Sequence, residues 1–158
     1  MGVRTEQDRA RERARHMVDL LARDEIEQLS GVAGEVIGDE ATERRQLYPL
    51  LVEITDACAQ MINGRAGEIA PQTLFVLDLV GEDEQDIDID QIPPALRALL
   101  RAILALLEQH RDDAEFQLSM AADDPHQRGR LDALVHGLLC VQSLLSAGGR
   151  ANAPAWLL

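Results

Sequence analysis

PPALRALLRAILALLEQ, residues 93–109, decides the fold class of this chain. Two prolines stand at its head. Proline is well tolerated in the first turn of a helix, where the amide it lacks has no intrahelical acceptor. Behind them the apolar residues recur at spacings of three and four, while Arg97, Arg101 and Glu108 fall on one narrow line at separations of four and seven. That period is helical. A helix with so thin a polar strip must be covered on most sides, so the sequence predicts a central helix over 94–109 of an all-α, single-domain bundle.

The same spacing extends outward in both directions. Thr5, followed by Glu6, Gln7 and Asp8, has the form of a helix start, with a hydroxyl cap and acids in the first turn. Apolar residues from Val18 to Ile37 predict one long helix over 5–37, bent near Ser30–Gly31 and stopped at Gly38. Asp39 is placed to cap the next helix, 39–63. Its stripe is Leu47, Leu50, Leu51, Ile54, Cys58, Met61 and Ile62, with a break or kink expected near residues 46–48 because Pro49 cannot donate an amide. Further helices are predicted over 112–122 and 127–146, which with the segments above and 71–80 gives about five to seven in all. Gly148–Gly149 terminates the last of them, leaving an apolar tail over 150–158.

Residues 71–92 read in two ways. TLFVLDLV (73–80) suits a helix begun by Pro71, followed by an acidic loop over 81–92. The alternation of Asp86, Asp88 and Asp90 with Ile87 and Ile89 instead has the strand period, so one short β-hairpin within 73–90 is the alternative. Aspartate is a poor strand former, which favours helix plus loop.

The run ALLEQHRDDAEFQLSMAADDP (105–125), with Ala114, Leu118, Ala121 or Ala122 and a closing Asp-Pro, resembles the helix–turn–helix unit of tetratricopeptide repeats. No second copy stands near a spacing of about 34 residues, and such solenoids need about three units. It therefore reads as an ordinary helical hairpin.

Composition works mainly by exclusion. The 158 residues include 15 basic ones, all arginine. A chain without lysine has no Schiff-base nucleophile and no P-loop lysine. The only aromatics are Tyr48, Phe75, Phe116 and Trp156, so Leu, Ile, Val, Ala and Met must build the core. Arginine to the exclusion of lysine, with abundant alanine, points to a GC-rich bacterial genome. The net charge of −13 argues against a nucleic-acid surface. Residues 1–16 nevertheless carry a net +2 through Arg4, Arg9, Arg11, Arg13 and Arg15, a cationic helix expected to be pinned to an acidic body. Cys58 and Cys140 form no disulfide framework, and the start of the chain is charged rather than apolar. No stretch is apolar over a bilayer's span. A cytoplasmic protein without membrane contact is the expectation.

Three constellations carry what chemistry the sequence offers. Asp132, His136 and Cys140 stand at successive i,i+4 steps on the last helix, opposite an expected core stripe of Leu131, Leu134, Val135, Leu138 and Leu145. Carboxylate, imidazole and thiol in line are candidate zinc ligands, although one straight helix does not wrap an ion by itself. Asp86, Asp88 and Asp90 match the start of an EF-hand loop, but Gln91 replaces its glycine and Arg97 its twelfth-position glutamate. The chain has no Glu-x-x-His of the di-iron type. Arg97 and Arg101, the nearest cations to the acidic loop, are candidates to hold it or an anionic ligand. Trp156, in the closing Trp-Leu-Leu, is a candidate anchor expected to be largely buried against its own domain. No cofactor is implied. The leading expectation is a non-enzymatic protein-interaction or regulatory module, homodimeric or bound to a partner. A small-molecule sensor or carrier with an apolar pocket, and a metal protein using His136 and Cys140, are the alternatives.

Overall fold

The structure is a computed structural model that describes residues 4–64 and 92–158. Those residues form six α-helices: α1 (Glu6–Ala22), α2 (Ile26–Ile37), α3 (Ala41–Gly64), α4 (Pro94–Leu107), α5 (Arg111–Ala122) and α6 (Gln127–Ser146). Two short 3-10 turns follow, Gly149–Asn152 and Ala155–Leu157. There is no strand among the described residues, so the chain is an all-α bundle. No helix of the described residues is long and apolar enough to cross a membrane. The predicted helix 71–80, the alternative hairpin and nearly all of the acidic loop lie outside the described residues.

Local chemistry accounts for most boundaries. Thr5 caps α1 through a reciprocal pair: its hydroxyl oxygen accepts from the Asp8 amide at 3.0 Å, and its own amide donates to the Asp8 carboxylate at 3.2 Å. These bonds favour the ionised carboxylate and lower the Asp8 pKa. The predicted single helix 5–37 is two helices, and the break is at Arg23–Glu25 rather than Ser30–Gly31. Asp24 takes a left-handed conformation (φ 59°), its amide bonds Leu21 O at 3.1 Å, and the Glu25 amide bonds Leu20 O at 2.9 Å. This is the Schellman closure of a helix. Gln109 closes α4 in the same way, with φ 64° and the His110 amide on Ala105 O at 2.7 Å. α2, α5 and α6 stop where the sequence predicts, and α6 does so before a left-handed glycine, Gly148.

α3 has no break at Pro49 and runs as one helix through it. The ring leaves the Arg45 carbonyl without its i+4 amide. Both residues border a surface cleft shared with Glu6, Arg9, Arg13 and Gln46, where water can take that bond.

Two flanking hairpins, α1–α2 and α4–α5, sandwich a central pair, α3 and α6, each of which touches every other helix. Among the described helices the predicted centre, α4, is on the flank: it packs there on α3, α5 and α6. It buries Ala95, Ala98, Leu99, Ala102 and Ile103, while Leu96, Leu100, Leu104, Leu106 and Leu107 stay half-buried. Alanines let α4 lie close on Ala114, Leu118 and Ala121 of α5, so its broad apolar face serves one intimate contact rather than all-round cover.

The whole predicted stripe of α3 is buried, and Ala57 and Ala59 are buried as well. On α6 the core face is Arg130, Ala133, Leu134, Gly137, Leu138, Val141 and Leu144. Leu131, Val135 and Leu145 of the predicted stripe are half-buried flanks. The closest approach explains the rotation. A Cβ on Gly137 would stand 2.9 Å from Ile54 Cγ2 of α3, so the two helices meet through a residue with no side chain.

Arg130 is the largest side chain fully enclosed. Its Nε donates to Ile37 O at the end of α2 (2.9 Å), one terminal nitrogen to Asp124 O, and the other to the Asp39 carboxylate at 2.6 Å. Asp39, expected as a cap, thus accepts from Arg130 of α6. A guanidinium at the carbonyl end of α2 also complements the helix dipole.

Candidate functional site

The most elaborated surface is a cleft of about 430 Å³ over α3, between α1 on one side and the α4–α5 turn on the other. The second 3-10 turn closes its end. Glu53 and Asp56 face it from α3, three residues apart on one helical face. Glu53 is buried and has both oxygens engaged: Oε1 accepts from Gln7 at 3.0 Å and Oε2 from Arg11 Nε at 3.0 Å. Asp56 Oδ1 accepts from a terminal nitrogen of Arg111 at 3.0 Å. Burial pushes the Asp56 pKa up, and Arg111 offsets only part of that. Arg11 also lies over the Trp156 indole, 5.8 Å from the ring centre, at the long end of the cation–π range.

The last residues dock on their own domain. Leu157 is buried against the core, Trp156 is half-buried beside it, and the Arg15 guanidinium donates to the Leu158 carbonyl. Most of Trp156 is covered by its own domain, as the sequence predicts. Leu157 is the deep anchor, and the indole stands at the cleft's edge with one face against Arg11. The basic helix is held partly as the sequence predicts. Arg11 pairs with Glu53, whereas Arg13 reaches Gln46 and Arg4, just before α1, pairs with Glu12 within it.

Arg97 and Arg101 line a separate, smaller cavity of about 180 Å³ between α4 and α5, with Gln117, Met120 and Asp124. The Gln117 side-chain oxygen in this wall is buried without a hydrogen-bond partner. The acidic loop expected against these arginines lies outside the described residues, as does Phe75. Asp132, His136 and Cys140 do share one side of α6, but His136 Nδ1 is 2.7 Å from the Asp132 carbonyl, a contact within the helix. Among the described residues, no three His, Cys, Asp or Glu side chains are gathered closely enough to hold a metal ion.

A second surface feature escaped the sequence reading. On α5 Phe116 is 61% exposed and Met120, one turn on, is 43% exposed. Asp112 and Asp113 stand one turn before Phe116, Glu115 is its neighbour in sequence and Asp123 follows Met120 by three residues, all four exposed. The resemblance of 105–125 to a helical hairpin hid it, since Phe116 and Met120 look like packing residues until the partner helix is known to lie on the Ala114–Leu118–Ala121 side. The chain matches no known protein family, no curated protein sequence and no solved structure.

Proposed function

We propose that the chain is a non-enzymatic helical interaction module whose docking face is the outer side of α5, and that its partner offers a basic amphipathic segment. The observation that supports this most is the exposed Phe116–Met120 pair on a helix whose exposed neighbours include four acidic side chains. Aromatic residues and methionine are enriched where proteins meet, and two of them one turn apart form the kind of anchor that an amphipathic helix covers. These acids select the sign of the partner. Arg97 and Arg101 give the patch a cationic edge toward α4 beside Met120, but the four acids outnumber them. A second copy of this chain is the poorer occupant, because pairing α5 with α5 would bring like charges together in a protein of net charge −13.

The test uses a labelled Leu/Arg amphipathic peptide and fluorescence anisotropy. Replacing Phe116 and Met120 together by serine should weaken binding by about tenfold or more while the melting temperature stays near wild type, since both side chains are exposed. Equal binding by the variant contradicts the proposal. A dimer seen by light scattering and lost in the same variant would assign the face to a second copy instead.

A further inference from the structure

The cleft over α3 has a hydrogen-bonding pattern that the fold itself leaves incomplete. Its four charged groups, Arg11, Arg111, Glu53 and Asp56, sum to zero. Their capacity is unequal. A guanidinium carries five N–H donors, and Arg11 and Arg111 each give one to a carboxylate. No hydrogen bond among the described residues uses the rest, and Asp56 keeps one oxygen without a partner there. Glu53 and Asp56 are i,i+3 neighbours, so the guanidinium groups tied to them flank one short stretch of the cleft. Beside that stretch stand the indole of Trp156 and the side chain of Leu106.

A ligand that fits must bring acceptors for two guanidinium groups and a donor for one carboxylate oxygen, and leave the cleft neutral. A simple anion satisfies the arginines but sets its charge against Asp56. A simple cation finds one free carboxylate oxygen and two arginines that repel it. We propose that the cleft is a binding site for a small zwitterion of the amino-acid class, its carboxylate on Arg111 and Arg11, its ammonium on Asp56, and its apolar side chain against Trp156 and Leu106. The volume of about 430 Å³ is within the range of small-molecule sites. The site is separate from the α5 face and does not depend on it.

Trp156 is the only tryptophan, so its emission reports on this cleft alone. The experiment titrates the full chain with leucine and with its two halves, isopentylamine and 4-methylpentanoate. Emission is followed together with the NMR signals of the indole and of the Gln60 and Asn63 side-chain amides. Leucine should saturate, and each half should bind about tenfold to hundredfold more weakly, the worth of one charge-assisted hydrogen-bonded group. Asp56→Asn should erase the preference for leucine over 4-methylpentanoate, and Arg111→Gln the preference over isopentylamine, each checked for an unchanged helical spectrum. If either variant fails to fold, the wild-type series of three compounds still decides. Binding of 4-methylpentanoate as tight as leucine would make the cleft an anion site and overturn the proposal. Isopentylamine as tight as leucine would make it a cation site, with the same consequence. No saturable change in either readout at millimolar leucine would mean that the cleft binds no such ligand.

Discussion

Replacing Arg130 by methionine should destabilise the protein by about 1–5 kcal/mol, a figure that follows from its three acceptors. Methionine retains an unbranched apolar stem and limits the cavity, so the change removes mainly hydrogen bonds. The Ile37 carbonyl, on a buried residue at the end of α2, would be left without a donor at a cost of about 1–3 kcal/mol. The Asp124 carbonyl, on a half-buried residue, should recover part of its loss from water, leaving about 0–1 kcal/mol. Asp39 is 81% exposed and rehydrates, so its share is that of a surface pair, about 0–1 kcal/mol. Against these stands relief from burying a guanidinium that is 0% exposed. Apolar replacement of a buried charge is often neutral when all its partners are replaced too. Here the backbone carbonyls remain, so their desolvation decides the sign. Urea unfolding at constant m-value measures the loss, which is a large fraction of a typical domain stability of about 5–15 kcal/mol. Asp39→Asn in the same assay should change little. A midpoint for Arg130→Met within error of wild type would refute the reasoning, because it would mean that the carbonyls find other donors.

Gly31 and Gly34 lie on the outer side of α2, and a Cβ added at either would meet nothing within 4 Å, so alanine at each should stabilise by about 0.5–1 kcal/mol, read as a raised melting temperature. A lowered one would mean that these sites need glycine. Because burial raises the folded-state pKa of Asp56 above the usual carboxylate value, its ionised form disfavours folding. This contribution should therefore increase stability as pH falls through the folded pKa toward the unfolded one, with the gain lost as pH rises again. Asp56→Asn should flatten that portion of the stability–pH curve, and an unchanged curve would place the titration elsewhere.

α5 and α6 were legible in the sequence almost to the residue, because Asp-Pro and Gly-Gly punctuate them and local chemistry sets those stops. The α1–α2 break was not, since Asp24 takes the left-handed conformation usually given to glycine, while Gly31 and Gly34 sit harmlessly inside a helix. The stripe of α3 was readable from large residues, but that of α6 only in part, at Leu134 and Leu138: its close approach to α3 is made at Gly137, which apolar bulk does not reveal. Centrality misled for a related reason. α4 has the more apolar sequence, yet α3 buries even Glu53 and Thr55, the latter by donating its hydroxyl to Leu51 O at 2.8 Å. Arg130 and its acceptors are separated by 93 and 91 positions at Ile37 and Asp39, and Arg11 by 42 from Glu53. No local pattern marks such pairs. Of the site residues named from sequence, Trp156 lies in the cleft and Arg97 and Arg101 share a second cavity. Phe116 and Met120 became visible only as the helices left them uncovered.

That α5 presents a docking face for a basic amphipathic partner is tested most directly by methyl NMR of methionine-labelled protein titrated with the Leu/Arg peptide. Met17 and Met61 are fully buried on α1 and α3, whereas Met120 is exposed on α5, so the three report on different places. The expected result is a saturable shift of the Met120 methyl with Met17 and Met61 unmoved, weakened by added salt as the acidic side chains of α5 are screened. A bound peptide that leaves Met120 unshifted would contradict it.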